Sequence, residues 1–546
     1  MRRAVQNEPK SPTSTDRADA KETAGGRRTG RIRGRRRSII IAVALGAFVL
    51  GAAYLVSKPG SDTPAANGPG AGPSYAEIET FVQDEMAAQR VPGLALGIVE
   101  DGRIAYIRGF GKADDSGRAV TPKTPFIIGS VAKSFTALAI MQLVEANKTD
   151  LDAPVQRYLP WFRVADEKES AEITVRHLLN HTSGISTKTG RTYQGDSDTS
   201  DTALEQAVRK LKSAELTAPV GSKHQYSTIN YSVLGLIVQT VAGQSYESYV
   251  QTKILDPLQM QNSYTSEAAA KRAGLATGYN YWFGRPRAAN LAYNRGLVPA
   301  GYLISSAEDM THYLVSQLNS GRYNGTSVLS PDGMSELHRA AVQTPKEGTS
   351  YGMGWFVGPL NDIPVIHHQG ETFNFHSNVV LIPQSRKGVV VLMNAENSLD
   401  LFTSGRMGTI AAGVTSLLEG QEPPSPPSNI AIFIVFAALF ALLVLQARGI
   451  AKSVSSLRRR HVRRGRIGPW WRIGFSLVLS LVWALFIFML VPKQLGLPLS
   501  IVADGFPDLV YLLIISALVA LVWAVVKAVW TYAVLRGEQA AHVAAP

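Results

Sequence analysis

The hydrophobic pattern divides the chain into a large central part and apolar flanks. Between about residues 75 and 418, apolar positions recur at strand-like or helix-like spacings and are interrupted by turn residues. Long, nearly unbroken apolar runs lie outside this part, at residues 38–56, 430–447, 473–491 and 509–530. Each run is about as long as a bilayer requires, and none contains an acidic residue. The pattern predicts a globular domain with membrane-spanning helices on both sides.

The central part predicts an α/β domain. Residues 94–99 and 103–110 flank an Asp-Gly pair, which is a strong signal for a β-hairpin. Further strands are predicted at residues 351–357, 364–368, 378–382 and 388–393. Helices are predicted at residues 75–90, 130–143, 173–179, 307–318 and 401–418 and over much of 203–262, and residues 187–202 are predicted to form a polar loop. We therefore expect an antiparallel sheet flanked by helices, with an inserted all-helical lobe and a site in the cleft between them.

The basic character of the chain is confined to two short segments. The 546 residues carry a net charge of +13. Residues 1–37 hold 12 Lys and Arg against 4 Asp and Glu, and residues 448–472 hold 9 basic and no acidic residues. The rest of the chain is net negative, so the large domain is not expected to bind nucleic acid. The lack of cysteine excludes a thiol nucleophile, disulfides and thiolate metal sites.

Both basic segments predict the same membrane topology. Positively charged loops remain in the cytoplasm, which places the large domain outside it. The expected parts are a basic cytoplasmic tail (1–37), a transmembrane anchor (38–56), a linker (57–74), the globular domain (75–418), a proline-rich tether (419–428) and three transmembrane helices (429–546) with a cytoplasmic loop at 448–472. A cleaved signal peptide is the alternative for the first apolar run, with Gly51-Ala52-Ala53 as its cleavage site.

A serine and a lysine lie at the start of the helix that is predicted to follow Gly129 in the stretch 126–143. Ser130 and Lys133 are three residues apart, so their side chains project from one helix face. A neutral lysine can take the proton of a serine hydroxyl, and a helix N-terminus favours an oxyanion beside it. The pair is a candidate nucleophile and base. A helix cap followed by a solvated lysine is the alternative.

Two further motifs lie downstream. Tyr226 precedes an apolar helix, and a tyrosine that is a phenolate or shares a proton with a lysine can act as general base and then as acid. An ordinary half-buried aromatic is the alternative. His368 and Gly370 end an apolar strand, where the glycine lets a substrate backbone lie along the strand edge. Glu371, which follows, can donate its backbone N–H to an oxyanion. His181 is expected to be structural.

The three motifs together resemble a known family. Ser130-x-x-Lys133, Tyr226 and His368-x-Gly370, in this order, are similar to the motif set of the penicillin-recognising serine hydrolases, on the class C β-lactamase and DD-peptidase side. The resemblance covers about residues 76–418 and implies a β-lactamase/transpeptidase-like fold and acyl-enzyme chemistry without a cofactor or a metal. It implies Ser130 as nucleophile, Lys133 and Tyr226 as the proton-transfer pair, and the N–H groups of Ser130 and Glu371 as the oxyanion hole.

The same resemblance implies a set of substrate-binding residues, namely Thr228, Leu297, His368, Gly370 and Asn374. Many relatives have a lysine at the position of His368 and an asparagine at that of Thr228, so efficient β-lactam hydrolysis is not expected. A literal Lys188-Thr189-Gly190 precedes Tyr226 and is interpreted as unrelated to the third motif.

The domain order resembles a narrower group as well. An outward-facing domain followed by three membrane helices is similar to the prodrug-activating D-amino-acid peptidases of the colibactin-maturation type. Thr228 and Asn374-Phe375 match that group, whereas Leu297 stands where it has a histidine. The side chain of the D-amino acid therefore stays open.

The leading expectation is a membrane-anchored extracytoplasmic serine peptidase. It would act through an acyl-enzyme on amide bonds of N-acyl-D-amino-acid or D-amino-acid peptides, with the peptide substrate and the lipid bilayer as its partners. A cell-wall D,D-carboxypeptidase, a broad esterase or β-lactamase-like enzyme, and a β-lactam or muropeptide sensor are the alternatives. A metal site of His367, His368 and His376 fits no standard ligand spacing. The oligomeric state stays open, with a homo-oligomer among the choices.

Overall fold

The computed structural model describes residues 74–192, 197–399, 405–427, 430–458 and 478–543. All of these residues belong to one compact unit, Asp62–Pro546. The expected cytoplasmic tail, the first apolar run and nearly all of the linker lie outside the described residues, as does most of the basic loop at 448–472.

The centre of the domain is an eight-stranded antiparallel sheet, as the sequence predicts. The strands in chain order are β1 Gly93–Glu100, β2 Arg103–Gly111, β3 Phe126–Ile127, β4 Tyr279–Trp282, β5 Arg285–Ala288, β6 Ile304–Ser305, β7 Arg322–Tyr323, β8 Thr326–Ser327, β9 Val342–Gln343, β10 Ser350–Gly352, β11 Trp355–Leu360, β12 Ile363–Glu371, β13 His376–Ile382, β14 Lys387–Met393 and β15 Ala395–Glu396. The order in the large sheet is β2-β1-β14-β13-β12-β11-β10-β9, so the early hairpin pairs with the last long strand. The small sheets are β15-β4-β5, β3-β6 and β7-β8.

Helices cover both faces of the large sheet. In the domain they are α1 Tyr75–Gln89, α2 Ala132–Glu145, α3 Glu167–Glu172, α4 Val175–Leu179, α5 Thr187–Thr192, α6 Ala203–Arg209, α7 Thr228–Ala242, α8 Tyr246–Val250, α9 Glu267–Arg272, α10 Ala307–Leu318, α11 Pro331–Leu337 and α12 Thr409–Leu418. Helices α1 and α12 pack on one face, against Leu94 and Leu96 of β1. Ala95 of β1 points to the opposite face of the sheet, where it belongs to a second hydrophobic cluster that includes residues of α2, α7 and α10. This alternation is that of a strand buried on both faces.

Three local predictions require correction. The segment 187–202 is not all loop, because its first residues form α5. The strand predicted at 351–357 is two strands, β10 and β11, because Gly354 turns the chain with φ +87°. The helical region predicted at 203–262 is interrupted, because residues 214–227 are not helical. Tyr226 lies near the end of this non-helical segment.

Four helices follow the domain within residues 430–458 and 478–543, the part of this region that the structure describes. They are α13 Ile430–Arg458, α14 Val478–Lys493, α15 Leu499–Gly505 and α16 Pro507–Val543. By length and composition, the stretches Ile432–Lys452 and Pro507–Trp530 could cross a membrane. Helix α14 is apolar but shorter, and the start of the run predicted at 473–491 lies outside the described residues.

Candidate active site

Ser130 lies at the start of a buried helix, as its sequence context predicts. Strand β3 leads into it and is fixed by pairing with β6, and Ile128 N donates to the Leu303 carbonyl at 2.9 Å. One turn of 3₁₀-helix, Gly129–Val131, carries Ser130 and continues into α2. Helix α2 is buried on nearly all sides, so the backbone that carries the serine is fixed by core packing.

Lys133 lies one turn further and contacts Ser130 directly. Its Nζ is 2.9 Å from Ser130 Oγ and 2.6 Å from the carbonyl oxygen of Ala300. The side chain of Lys133 is 0% exposed, and burial lowers its pKa to about 7. Both oxygen partners are uncharged, so they stabilise the ammonium form less than a carboxylate would. A large fraction of Lys133 is therefore a neutral amine near neutral pH.

Tyr226 is the third residue beside Ser130 and Lys133. The Nζ of Lys133 lies 5.0 Å from the centre of the Tyr226 ring. Burial raises the pKa of the Tyr226 hydroxyl, and its interaction with Ser130 lowers it in part. The phenol is therefore protonated at neutral pH. Of the two forms considered from the sequence, this environment disfavours the phenolate.

His181 holds the loop that carries Tyr226. Its carbonyl accepts from Gln225 N at 2.7 Å, and its Nδ1 accepts from Ser227 N at 3.1 Å. The two rings are 4.3 Å apart between centres. Burial keeps the pKa of His181 well below its ordinary value, so the ring is neutral. These contacts place His181 beneath Tyr226, as a support for the loop.

Two glycines bring the predicted oxyanion-hole segments together. Gly129 has φ +52°, and a Cβ there would overlap the Glu371 amide nitrogen. A Cβ on Gly370 would overlap the Ile128 carbonyl oxygen. Neither position has room for a side chain, so the backbone of residues 370–371 lies directly against that of residues 128–129. This close approach places the peptide groups of Ser130 and Glu371 in one region.

A cavity of about 850 Å³ opens beside Ser130 and Tyr226. Of the predicted substrate-binding residues, Thr228, Leu297 and Asn374 line it. The Asn374 amide is held in place, because its Nδ2 donates to the Ala289 carbonyl at 2.9 Å and its Oδ1 accepts from Thr372 Oγ1 at 3.1 Å. Gly370 contributes the close backbone packing described above and is not part of the cavity lining.

His368 lies behind the cavity lining. Its side chain is 2% exposed, and Nδ1 donates to the Gln369 carbonyl at 2.6 Å. Its Nε2 is 3.3 Å from the Tyr351 hydroxyl, which donates to it in this tautomer. Burial lowers the pKa of His368 to about 3. A neutral, enclosed imidazole cannot replace a lysine as a cationic group toward substrate.

One set of residues near the site has the chemistry of metal ligands. Glu371, His376 and Glu396 each place a potential ligand atom within 4.8 Å of the others. This set differs from the three histidines considered from the sequence. His376 Nδ1 and Glu396 Oε2 are 2.6 Å apart, so these two residues already bind each other.

Several site residues have no signal in the sequence. The Ala300 carbonyl acts through the backbone, and any residue type would offer it. Leu497, Ile501, Asp504 and Phe506 line the cavity from the C-terminal part of the chain. They lie between the apolar runs at 473–491 and 509–530, so the sequence gave no reason to place them at a polar site.

The literal Lys188-Thr189-Gly190 lies on α5, and not on a strand. A Cβ on Gly190 would lie 2.7 Å from Ser227 Oγ, so this helix packs beside the loop that carries Tyr226. The motif is thus a packing element next to the site, separate from the strand motif at Gly370.

Comparison with known proteins gives the family. The chain matches the family described as "Beta-lactamase" over residues 78–412. "Protein flp" of Staphylococcus aureus (strain COL) is 30% identical over 323 residues, which are 59% of this chain and 63% of that protein. This chain therefore spans less than two thirds of that relative. "Penicillin-binding protein 4" of Amycolatopsis lactamdurans is 27% identical over 358 residues, covering 62% of this chain and 91% of that protein.

A solved structure agrees with this match. The octameric penicillin-binding protein homologue from Pyrococcus abyssi superposes with a TM-score of 0.57 and 30% identity, over 65% of this chain and 79% of that one. The family match extends over more than half of the chain and includes Ser130, Lys133, Tyr226 and Gly370. The chain belongs to the β-lactamase family of serine hydrolases.

Proposed function

We propose that this protein is a membrane-anchored extracytoplasmic serine peptidase. It would cleave amide bonds of N-acyl-D-amino-acid or D-amino-acid peptides through an acyl-enzyme on Ser130. The observation that carries the proposal is the buried Lys133, whose pKa of about 7 and 2.9 Å contact with Ser130 Oγ suit a general base. Ser130 lines a cavity large enough for a peptide-like ligand.

The proposed acylation step follows from this geometry. Neutral Lys133 takes the proton of Ser130 as Oγ forms a bond to the substrate carbonyl carbon. The N–H groups of Ser130 and Glu371 stabilise the oxyanion, and the C–N bond then breaks. Tyr226 gives its phenol proton to the leaving amine and regains one from Lys133. Water then releases the acyl group by the reverse sequence of proton transfers.

The membrane part of the proposal rests on exposed apolar surface. The most apolar stretch of α13 is not buried at all, and Phe433 is 70% exposed. On α16, Val522 and Val529 are 63% and 64% exposed. Apolar surface of this extent favours a bilayer over water. With the basic segments inside, the domain at 75–418 would face outward between a first anchor and three C-terminal spans.

The substrate assignment rests on two neutral polar residues of the cavity lining, which also contains charged side chains. Thr228 and Asn374 line the cavity, whereas His368 is neutral and enclosed. The neutral groups suit the amide and acyl parts of an acylated amino acid, and Arg191 and Lys271, which also line the cavity, offer cations to a substrate carboxylate. A cell-wall D,D-carboxypeptidase is the second candidate, and the name of the Amycolatopsis relative favours it. The Pyrococcus homologue is octameric by its description, which supports testing this chain for self-association.

The experiment is mass spectrometry of cleavage products from a mixed substrate pool. Full-length protein in detergent would meet N-acyl-D-amino-acid amides, their L-enantiomers and D-Ala-D-Ala peptides, with Ser130→Ala as control. Release of acyl-D-amino acids by the wild type alone is the expected result. Cleavage of D-Ala-D-Ala alone would favour the carboxypeptidase. Equal activity in Ser130→Ala would contradict the proposed mechanism.

A further inference from the structure

One wall of the substrate cavity comes from the C-terminal part of the chain. Leu497, Ile501 and Phe506 line the same cavity as Ser130 and Tyr226. We call the segment Leu497–Phe506 the C-terminal wall; it contains α15 and lies between two apolar helices. Leu497 and Phe506 are buried, at 7% and 4% exposed. Its side chains are apolar except for Ser500 and Asp504.

Polar contacts fix the wall against the hairpin β4–β5. Asn280 Nδ2 donates to the Asp504 carbonyl at 2.7 Å. The backbone N–H of Phe283 donates to the Asp508 carboxylate at 2.9 Å, just beyond the wall. These contacts anchor the backbone at one end of the wall, where Asp504 also lines the cavity. The apolar part of the wall comes from Leu497, Ile501 and Phe506.

Glycines let the wall approach the site closely. A Cβ on Gly505 would lie 2.6 Å from the Phe373 ring, and one on Gly496 would lie 2.5 Å from Lys188 Cγ. Phe373 itself lines the cavity two residues after Glu371. It also belongs, as a partly buried member, to the apolar cluster of Leu497 and Phe506. The wall therefore continues the apolar surface that begins beside the oxyanion-hole segment.

We propose that the C-terminal wall is a subsite for an apolar group of the substrate. An aliphatic or aromatic group would lie against Leu497, Ile501 and Phe506, because apolar ligand surface is stabilised by removal from water. The inference rests on the proposed function, since it assigns a substrate contact to that site. It makes the C-terminal helices part of the binding site as well as an anchor.

Substrate chain length tests this assignment in the full-length protein in detergent. The probes are p-nitrophenyl esters with acyl chains from acetyl to decanoyl, and acetyl esters of alcohols of increasing length. The readout is kcat/KM for the longest reactive member divided by that for the shortest. We expect Ile501→Ala to lower this ratio about tenfold, the lower end of what an altered apolar pocket achieves. Ile501→Trp, which fills the subsite, should shift the preference to shorter chains.

Ile515→Ala is the matched control, because Ile515 lies on α16, is 47% exposed and is outside the cavity lining. It should leave the ratio unchanged. A response in the acyl series places the subsite on the acyl side of the cleaved bond, and a response in the alcohol series places it on the leaving-group side. Wild-type ratios in both Ile501 variants and both series would overturn the inference.

Ser130→Ala distinguishes a failure of the subsite inference from a failure of the proposed function. If Ser130→Ala loses activity on all esters while the Ile501 ratios stay at the wild-type value, the subsite is wrong and the nucleophile is right. If Ser130→Ala retains turnover, the proposed function fails and the inference fails with it.

Discussion

Lys133 Nζ lies 2.9 Å from Ser130 Oγ, one helical turn away and fully buried. The Ala300 carbonyl, at 2.6 Å, can only accept a hydrogen bond, so it must take one N–H of the lysine. In the neutral amine this leaves the lone pair available to the Ser130 hydroxyl. The Ala300 carbonyl therefore orients the base toward the nucleophile.

Activity should depend on the neutral form of Lys133. We expect kcat/KM to rise with pH through an acid limb near pH 7, because burial lowers the pKa of Lys133 from 10.5 to about 7. His368, with a pKa lowered to about 3, is already neutral there. A pH–rate profile from 5 to 9 measures the limb. A profile that is flat across pH 7 would show that Lys133 is not the base.

The burial of Lys133 should also lower the free energy of unfolding at low pH, where the folded protein holds the lysine in its charged form. The unfolded chain keeps this proton up to about pH 10.5, whereas the folded protein loses it near pH 7. The contribution of Lys133 to the free energy of unfolding therefore rises with pH between these two values. We expect Lys133→Met to be inactive yet to melt at a higher temperature than the wild type at pH 6. This increase in melting temperature should become smaller toward pH 10, and thermal unfolding at pH 6 and pH 10 measures it. An equal increase at both pH values would contradict the lowered pKa of Lys133.

The phenol of Tyr226 should matter for proton transfer and little for folding. Tyr226→Phe keeps the ring on His181 and removes the hydroxyl, so we expect kcat to fall about 10²–10⁴-fold. Tyr106→Phe is the control, because Tyr106 lies on the β1–β2 hairpin and its hydroxyl donates to Glu79 of α1. Steady-state kinetics with matched melting curves distinguish the two variants. Normal turnover in Tyr226→Phe would remove it from the mechanism.

The close approach of two backbones should tolerate no side chain. The Cβ of Gly129→Ala would overlap Glu371 N, and that of Gly370→Ala would overlap the Ile128 carbonyl oxygen. Each variant should therefore move the two backbone segments apart and reduce kcat/KM at least tenfold. Gly408→Ala is the control, because a Cβ there meets no atom within 4 Å. Kinetics of purified variants with native-like melting curves measure the effect. Unchanged kcat/KM in both site variants would mean that this contact does not form the oxyanion hole.

Local features of the site follow from the sequence because short spacing fixes them. Ser130 and Lys133 share a helix face by their separation alone, and the hairpin at 93–111 follows from its Asp-Gly turn. The antiparallel sheet was also predicted correctly. Tyr226 is 93 residues beyond Lys133, so residue spacing gave no distance between them, and only the resemblance to a family paired them.

The remaining features depend on long-range packing. His367 and His368 are adjacent, and strand register decides which of them faces the core; His368 is the more buried. The C-terminal wall reaches the site from more than 360 residues beyond Ser130. It lies between the apolar runs at 473–491 and 509–530, so residue spacing gave no distance between it and Ser130.

The most direct test of the central claim is the covalent adduct on Ser130. The full-length protein would be quenched during turnover of a p-nitrophenyl ester and digested, and the peptide masses measured. We predict that the mass of the acyl group appears on the peptide containing Ser130 in the wild type and that no peptide of Ser130→Ala carries it. An acyl group on another residue during turnover, or undiminished turnover by Ser130→Ala, would contradict the account.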